Sequence, residues 1–303
     1  MKKNEDDFVC WMKKKVKYSE LVEIPIGDDA SVVSTTGKQL ILKVDTVVEG
    51  VHFEKNLNPA WIGHKALARP LSDVAAMGGK PLFALCAMVL RKNEKYSFVQ
   101  SIFSGLYKLA GKFSVSVVGG DITQNSKLLM ISITVVGECA GLLPIRRKGA
   151  KVGDAIFVTG KLGGSILNKN YKFIPRIKEG VWLNKNCSIH SMIDISDGLA
   201  LDLARMCELS GVGAEIYQNS IPHSKDTFVM SKSDKKDPLD HALYDGEDYE
   251  LLFTAPSHEC DKIIEGTGST MIGKICKMHG IYLKTINNET IRIKTSGWRY
   301  EFK

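Results

Sequence analysis

The chain has 303 residues, of which 44% are hydrophobic and 25% are charged, a composition typical of a globular protein with a substantial buried core. Its formal net charge is +7, but the lysines are scattered, and no basic run is interleaved with aromatic residues, which argues against nucleic-acid binding. The sequence has no apolar stretch long enough to span a membrane and no signal-peptide core, so we expect a cytoplasmic protein without membrane contact.

The predicted elements of the first half alternate between strands and helices. In chain order we predict a strand running into a loop at QLILKVDTVVEGVHF and a helix at WIGHKALARPLSDVAAMGG. A strand, a helix and two strands follow at LFALCAMVL, YSFVQSIFSGLYKLAGKF, VSVVGGD and LLMISITVVGE. The segment AGLLPIRRKGAKVGD has the composition of a linker, so we predict two α/β domains, residues 1–140 and 141–303.

The second half repeats this mixture of elements. We predict a strand at AIFVTG, a helix that starts just after the beginning of DISDGLALDLARMCELSG, and a strand at AEIYQ. A polar loop at SKSDKKD, a strand at YELLFTA and a helix from His258 come next, followed by strands at TMIGKI, IYLKTI and IRIKT.

Seven cysteines occur without a CxxC pair or a histidine at zinc-ligand spacing. We therefore expect reduced, mostly buried thiols and neither a disulfide framework nor a zinc site. The segment GSTMIGKI is close to a Walker loop, but Ile275 stands where Ser or Thr would reach Mg²⁺. Dinucleotide-binding and serine-hydrolase motifs are also missing from the sequence.

Isolated carboxylates recur beside glycine or small residues and next to apolar runs. The main members of this set are Asp28, Asp29, Asp45, Asp73, Asp121, Asp194 and Asp197. One interpretation is that they cap turns and helices. The other is a shared Mg²⁺ site for a polyphosphate, because Mg²⁺ prefers oxygen ligands and removes the repulsion between clustered carboxylates.

Ten motifs in order resemble the thiamine-monophosphate kinase family, within the superfamily of aminoimidazole ribonucleotide synthetase-like ATP-binding enzymes. They are IGDDA, DTVVEGVHF, KALARPLSDVAAMGG, GGDIT, ITVVGE, RKGAKVGD, VTGKLGG, IDISDGLALDL, SGVGAEI and GEDYELLFT. The resemblance implies a two-domain α/β fold of the synthetase type, with an N-terminal ATP- and Mg²⁺-binding domain whose sheet forms a homodimer, and a C-terminal synthetase-like domain.

The resemblance also implies roles for individual residues. It implies Mg²⁺ ligands at Asp29, Asp45, Asp73, Asp121, Asp194 and Asp197, with Asp121 and Asp197 as the catalytic pair. ATP contacts are implied for Gly120, Asp121, Arg147 and Ser196, and contacts with thiamine monophosphate for His52, Glu247 and Trp298. Asp28 is a neighbour without an implied role.

The chain departs from the family pattern at several positions. Pro70 stands where the family usually has Asn, and Asp245 replaces a Gly before Gly246 and Glu247. Lys43 and Val44 occupy two positions that are often Ser or Thr, which puts side-chain ligation from them in question. The ending GWRYEF also differs from the family's, and it contains Trp298.

The reaction implied by the resemblance is transfer of the γ-phosphoryl group of ATP to thiamine monophosphate, giving thiamine diphosphate. The acceptor oxygen is already ionised, so positioning and charge neutralisation matter more than a general base. Two alternatives remain open: a sister ATP-dependent enzyme acting on another acceptor, and an inactive nucleotide-binding sensor.

Overall fold

The computed structural model describes residues 20–25, 28–35, 38–125, 127–141 and 143–297, so Trp298 lies outside the described residues. The strands are β1 Val22–Ile24, β2 Ser31–Thr35, β3 Lys38–Val48, β4 Gly79–Arg91, β5 Ser116–Asn125, β6 Met130–Cys139, β7 Ala155–Val158, β8 Ser191–Asp194, β9 Gly213–Tyr217, β10 Leu251–Ala255, β11 Thr270–Cys276, β12 Gly280–Lys284 and β13 Thr290–Arg292. The α-helices are α1 Pro59–Ala76, α2 Tyr96–Lys112, α3 Lys169–Lys172, α4 Ile177–Asn186, α5 Leu199–Ser210, α6 Lys225–Asp234, α7 Pro238–Tyr244 and α8 Cys260–Thr267.

The first sheet has six strands in the order β1-β2-β3-β6-β4-β5. All neighbouring pairs are antiparallel except β4 and β5, which run parallel. Burial alternates along β4 and β6, as expected for a sheet with one covered face. Helix α1 packs on that covered face, and β5 is an exposed edge strand.

Helix α1 brings more polar side chains into the interior than any other described helix or strand. Asn58 caps it by accepting a hydrogen bond from Ala60 N, and Pro59 occupies its first turn, where a missing N–H costs nothing. Close packing against α2 requires glycine, because a Cβ on Gly63 would lie 1.9 Å from the carbonyl oxygen of Ile102. The helix is therefore held rigidly between α2 and the sheet.

The second sheet has seven strands in the order β13-β12-β9-β11-β7-β10-β8. A core that includes α5 and α7 covers one face, and the other face of its central strands joins the core of the first sheet. Phe157 and Phe253 stack at the shared core, with ring centroids 5.3 Å apart. Strand β8 lies at an edge of the sheet, and it ends at Asp194 beside α1.

The α/β character of both halves is confirmed, and the two sheets fall on either side of residues 140–154, of which none that the structure describes lies in a helix or strand. The domain boundary itself stays a prediction. The prediction of a polar loop at SKSDKKD is wrong for its first residues. Helix α6, which is capped by Ser224, continues to Asp234. No helix among the described residues combines the length and the apolar character needed to cross a bilayer.

Candidate active site

Three of the predicted Mg²⁺ ligands meet in one buried cluster. Asp29 comes from the segment before β2, Asp73 from the last turns of α1 and Asp194 from the end of β8. One carboxylate oxygen of each lies within 4.8 Å of the others, and all three residues are at most 7% exposed. We call this group the carboxylate trio. No other group of three potential metal-ligating side chains is found across the described ranges.

The trio is electrostatically costly without a cation. Burial, reinforced by the charge of Asp29, raises the pKa of Asp194 to about 7. Burial also raises the pKa of Asp73 well above its ordinary value, with Asp194 acting in the same direction. An all-oxygen, buried and mutually repelling donor set fits a hard divalent cation such as Mg²⁺.

Side chains of the protein already hold part of the trio. Arg147 binds Asp29 through two hydrogen bonds, from Nε at 3.0 Å and from Nη2 at 2.9 Å. Lys43 Nζ lies 2.8 Å from Asp73 Oδ1, and Ser72 Oγ donates to Asp194 Oδ2 at 2.6 Å. The predicted ATP contact Arg147 is thus engaged with a predicted metal ligand.

Asp28 fixes this arrangement from the opposite side. Its carboxylate accepts the backbone N–H of Arg147 at 3.0 Å and that of Asp29 at 3.1 Å. Burial and the neighbouring charge of Asp29 raise the pKa of Asp28 to about 6. The paired aspartates of IGDDA therefore have different tasks: Asp29 faces the trio, and Asp28 positions the backbone of Arg147.

Asp45 lies next to the trio without being part of it. Strand β3 places Asp45 on the covered face of the sheet with Lys43, two residues before it, because side chains alternate along a strand. Arg69 of α1 is 3.2 Å from Asp45, and the charge of Asp45 contributes to the raised pKa of Asp73.

Asp197 and Ser196 form a second group at the start of α5. Asp202, within the first turn of that helix, accepts the backbone N–H groups of Ser196 at 3.1 Å and of Asp197 at 3.0 Å. Arg205 bridges the carboxylates of Asp197 and Asp202. Gly297 packs against the carbonyl of Asp197, so the described end of the chain reaches this group.

Gly120 and Asp121 lie on the exposed edge strand β5. A Cβ on Gly120 would lie 1.9 Å from the carbonyl oxygen of Cys86, so a glycine is required for this strand contact. Asp121 is in register with Ala87, whose side chain is on the open face of the sheet. The structure therefore does not bring Asp121 to the trio within the single chain.

The two predicted substrate contacts His52 and Glu247 are joined by a buried lysine. Lys65 of α1 is fully buried, and its Nζ donates to the carbonyl of His52 at 2.8 Å and to Glu247 Oε1 at 2.7 Å. Asn170 donates to Glu247 Oε2 at 2.9 Å. Burial, with the positive charges of Arg69 and Lys65, lowers the pKa of His52 to about 4, so its ring is neutral at pH 7.

The backbone around Glu247 is held in an unusual conformation. Gly246, Glu247 and Tyr249 all have positive φ, at 74°, 53° and 51°. Such angles are rare for residues with a Cβ and persist where surrounding contacts impose them. Two contacts here are the bonds from Glu247 N to Ser196 O at 2.7 Å and from Tyr249 N to Ile195 O at 2.8 Å.

Asp248 and Glu250, on either side of Tyr249, serve the fold. Asp248 accepts hydrogen bonds from Gly163 N in the VTGKLGG loop and from Ser165 Oγ directly after it. Glu250 is paired with Lys169 and with Arg176. These acids fix the loop and leave Glu247 as the partly exposed carboxylate of GEDYE.

Several site residues were missed by the sequence reasoning. Lys65, Arg69 and Ser72 have the spacing of one helix face in a mostly apolar segment, and that pattern was the available signal. Asn170 carried no sequence signal, because its partner Glu247 is 77 residues away.

Comparison with known proteins places the whole chain in one family. The model of the AIR synthase related protein N-terminal domain matches residues 27–139. Thiamine-monophosphate kinase from Rhodopirellula baltica is 33% identical over 97% of this chain and 96% of its own length. The corresponding enzyme from Aquifex aeolicus is 30% identical over 91% and 92%. The chain belongs to the thiamine-monophosphate kinase family.

A solved structure agrees with this family assignment. The structure described as AaThiL complexed with AMPPCP and TMP superposes with a TM-score of 0.86 at 29% identity, covering 98% of this chain and 96% of that one. The resemblance seen in the ordered motifs is confirmed, as are the synthetase-like α/β fold and the prediction that this member of the thiamine-monophosphate kinase family is an enzyme. The roles assigned to single residues stay predictions.

Proposed function

We propose that this chain transfers the γ-phosphoryl group of Mg²⁺-bound ATP to thiamine monophosphate, producing thiamine diphosphate and ADP. The observation that carries the proposal is the match to thiamine-monophosphate kinases over nearly the full length, in a chain that buries three carboxylates together. The solved relative bound to AMPPCP and TMP has the same fold.

The residues present fit Mg²⁺ as the metal. Asp29, Asp73 and Asp194 would hold it, with Asp45, Asp121 and Asp197 as the further ligands that we propose. When bound, Mg²⁺ would neutralise the charge of the phosphates and orient them.

The protein's own groups would bind and orient the two substrates. Arg147 presents a planar guanidinium, suited to phosphate oxygens, at the edge of the trio. Ser196 and Gly120 are the other proposed ATP contacts. His52 accepts the Val48 N–H through Nδ1 at 3.1 Å, so its proton is on Nε2 and the neutral ring can donate a hydrogen bond.

Glu247 would provide a negative charge for the cationic thiamine. Its side chain is 33% exposed, and Lys65 keeps its pKa below the ordinary value although burial acts to raise it. Trp298, which lies outside the described residues, would supply an aromatic ring for the thiazolium. Since the acceptor oxygen is ionised, none of these groups needs to remove a proton.

We also propose that the enzyme is a cytoplasmic homodimer assembled through the first sheet. The open face exposes large apolar side chains on β3 and β4, with Val44 at 58%, Phe83 at 46% and Leu85 at 44%, and both Val44 and Leu85 are in register with Thr134 of the intervening β6. Contiguous exposed apolar surface of this kind is typical of an interface. Light scattering should give a dimer for the wild type and a monomer for Leu85→Glu, whereas Ile264→Glu on α8 should remain dimeric.

The decisive experiment measures ADP release with Mg²⁺-ATP and thiamine monophosphate, free thiamine or no acceptor, and identifies the product by chromatography. We expect turnover only with the monophosphate. Turnover with free thiamine instead would reject the proposed acceptor. Tight ATP binding without turnover on any acceptor would favour the inactive sensor.

A further inference from the structure

Lys43 places a positive charge directly on the carboxylate trio. It lies on the covered face of β3, and its Nζ is 2.8 Å from Asp73 Oδ1. The two side chains are 24% and 10% exposed, so water screens this ion pair only in part.

The trio's oxygens are largely occupied by groups of the protein itself. Hydrogen bonds from Arg147, Lys43 and Ser72 reach four of the six carboxylate oxygens: both of Asp29, one of Asp73 and one of Asp194. Three negative charges therefore face two positive ones from the chain. One divalent cation would change the net charge of the group from one negative to one positive, and a second would leave it strongly positive.

We propose that the ammonium of Lys43 is a built-in counter-ion that takes the place of one divalent cation in the trio. The inference rests on the proposed function, since it concerns the metal site of the same reaction. An ammonium is a compact point charge with three donors, so it can satisfy one carboxylate while repelling a nearby cation. Lys43 thereby lowers the number of divalent ions that this site takes up, or weakens the binding of one of them.

The number of bound cations can be measured without turnover. Mn²⁺, whose oxygen-ligand preference resembles that of Mg²⁺, is titrated into the full chain without nucleotide, and the free ion is followed by electron paramagnetic resonance. Lys43→Met removes the charge at similar length, and Lys43→Ser replaces the lysine by a small uncharged polar side chain. Lys43→Arg keeps the charge and is the matched control.

We expect Lys43→Met and Lys43→Ser to bind one more Mn²⁺ per chain than the wild type, or to bind the same number at least about tenfold more tightly. A change of this size is expected when one neighbouring positive charge is removed. Lys43→Arg should match the wild type, and Asp73→Asn should bind Mn²⁺ more weakly. Circular dichroism of the metal-free variants checks folding, and Lys43→Ser carries the test if Lys43→Met does not fold.

Equal Mn²⁺ number and affinity in the wild type and both uncharged variants would overturn the inference. So would a Lys43→Arg protein that behaves like Lys43→Met, because the effect would then follow shape and not charge. Failure of the proposed function looks different: the wild type would release no ADP with thiamine monophosphate, whatever the Mn²⁺ titrations show.

Discussion

Asp194 combines burial that is unfavourable for the free protein with a proposed role as a metal ligand. It is 4% exposed, and only the hydroxyl of Ser72 donates to it among the described residues. Burying a carboxylate with so little compensation opposes folding unless a cation is bound. We therefore propose that a bound cation, and not stability, accounts for this residue.

Replacing Asp194 with Asn removes the charge and preserves the size of the side chain. We expect turnover to fall about a hundredfold or more, because a metal-binding group is lost. The melting temperature without divalent ions should be equal to or higher than that of the wild type, while the increase caused by Mg²⁺ should shrink. Calorimetric scans with and without Mg²⁺, together with ADP release, measure both effects.

The control for this change is Asp261→Asn on α8, which removes an exposed acid and should alter neither quantity. A metal-free Asp194→Asn protein that melts well below the wild type, yet keeps its turnover, would assign Asp194 to the fold.

We propose that Lys65 positions His52 and Glu247, to both of which it donates a hydrogen bond. Lys65→Met should raise the KM for thiamine monophosphate roughly tenfold or more, since a lost charge-assisted hydrogen bond is worth ~1.5–3 kcal/mol. The KM for ATP should stay within about twofold if Lys65 acts only through Glu247 and His52. Steady-state kinetics with each substrate varied in turn give this comparison.

A double-mutant cycle separates this role from general destabilisation. Lys65→Met combined with Glu247→Gln should cost much less than the two single effects added together, because the partner charge has also been removed. Lys65→Arg should raise the KM for thiamine monophosphate less than Lys65→Met does. Strictly additive effects in the double variant would show that Lys65 does not act through Glu247.

At the scale of elements, α7 is fastened to its surroundings by a histidine between two acids. His241 lies on α7 and is 1% exposed. Its Nδ1 is 3.0 Å from Asp245, and its Nε2 is 3.3 Å from Asp234 at the end of α6. Asp245 also accepts the N–H of Gly164, so the residue that departs from the family pattern connects α7 to the VTGKLGG loop.

His241 should make stability depend on pH. Burial acts to lower its pKa, but Asp245 and Asp234 outweigh burial, and the pKa stands above the ordinary value of 6.5. Because the pKa is raised in the folded state, His241 contributes fully to stability below about pH 6.5. This contribution is lost as the pH rises through the pKa of the folded state. Urea unfolding at pH 5.5 and pH 9 should therefore give a larger difference between wild type and His241→Gln at pH 5.5.

The comparison of two variants cancels the other groups that titrate over this range. His279→Gln, which removes a different histidine, is the matched control and should show no such difference. A wild-type advantage that is equal at both pH values would mean that His241 contributes by packing or neutral hydrogen bonds alone.

The sequence predicted elements better than it predicted their contacts. Helix α1 was expected from its apolar spacing, and the structure has it at Pro59–Ala76. Helix α4 at Ile177–Asn186 was not predicted, because the segment is short, has a glycine in its middle and has only four apolar residues among its ten. The bond from Lys65 to Glu247 spans 182 residues, and no local pattern encodes such a separation.

The acidic motifs were likewise separated by the fold into groups that their sequences do not distinguish. Asp29, Asp73 and Asp194 meet, while Asp197 pairs with Arg205. Local sequence gives each aspartate a similar Gly or small neighbour, so the tertiary structure decides which of them share a site: α1 packs against β8, and Arg147 holds Asp29.

At the scale of the whole molecule, Asp121 lies on the open face of the first sheet, whereas the trio lies on the covered face. Its register partner Ala87 belongs to the open face, with Leu85 two residues earlier, whereas Lys43 and Asp45 share the covered face. Paired residues of neighbouring strands point to the same side of a sheet. If Asp121 is a metal ligand, it must therefore serve the site of a second copy across the dimer.

Heterodimers of two inactive variants test this arrangement. Chains carrying Asp121→Asn and Asp194→Asn are co-expressed with different tags, and the mixed dimer is isolated by purification on both tags. In that dimer one site combines an intact Asp194 with the partner's intact Asp121, so turnover should return to about half of the wild-type value in a symmetric two-site enzyme.

A heterodimer of Asp73→Asn and Asp194→Asn is the matched control. Both changes fall within the trio of their own chains, so each site keeps one defect and turnover should stay as low as in the single variants. If Asp121 acted within its own chain, the Asp121→Asn and Asp194→Asn heterodimer would be equally inactive. Recovery in the first heterodimer without recovery in the control is the result that only a shared site gives, because only then do the two substitutions damage the same half of the dimer.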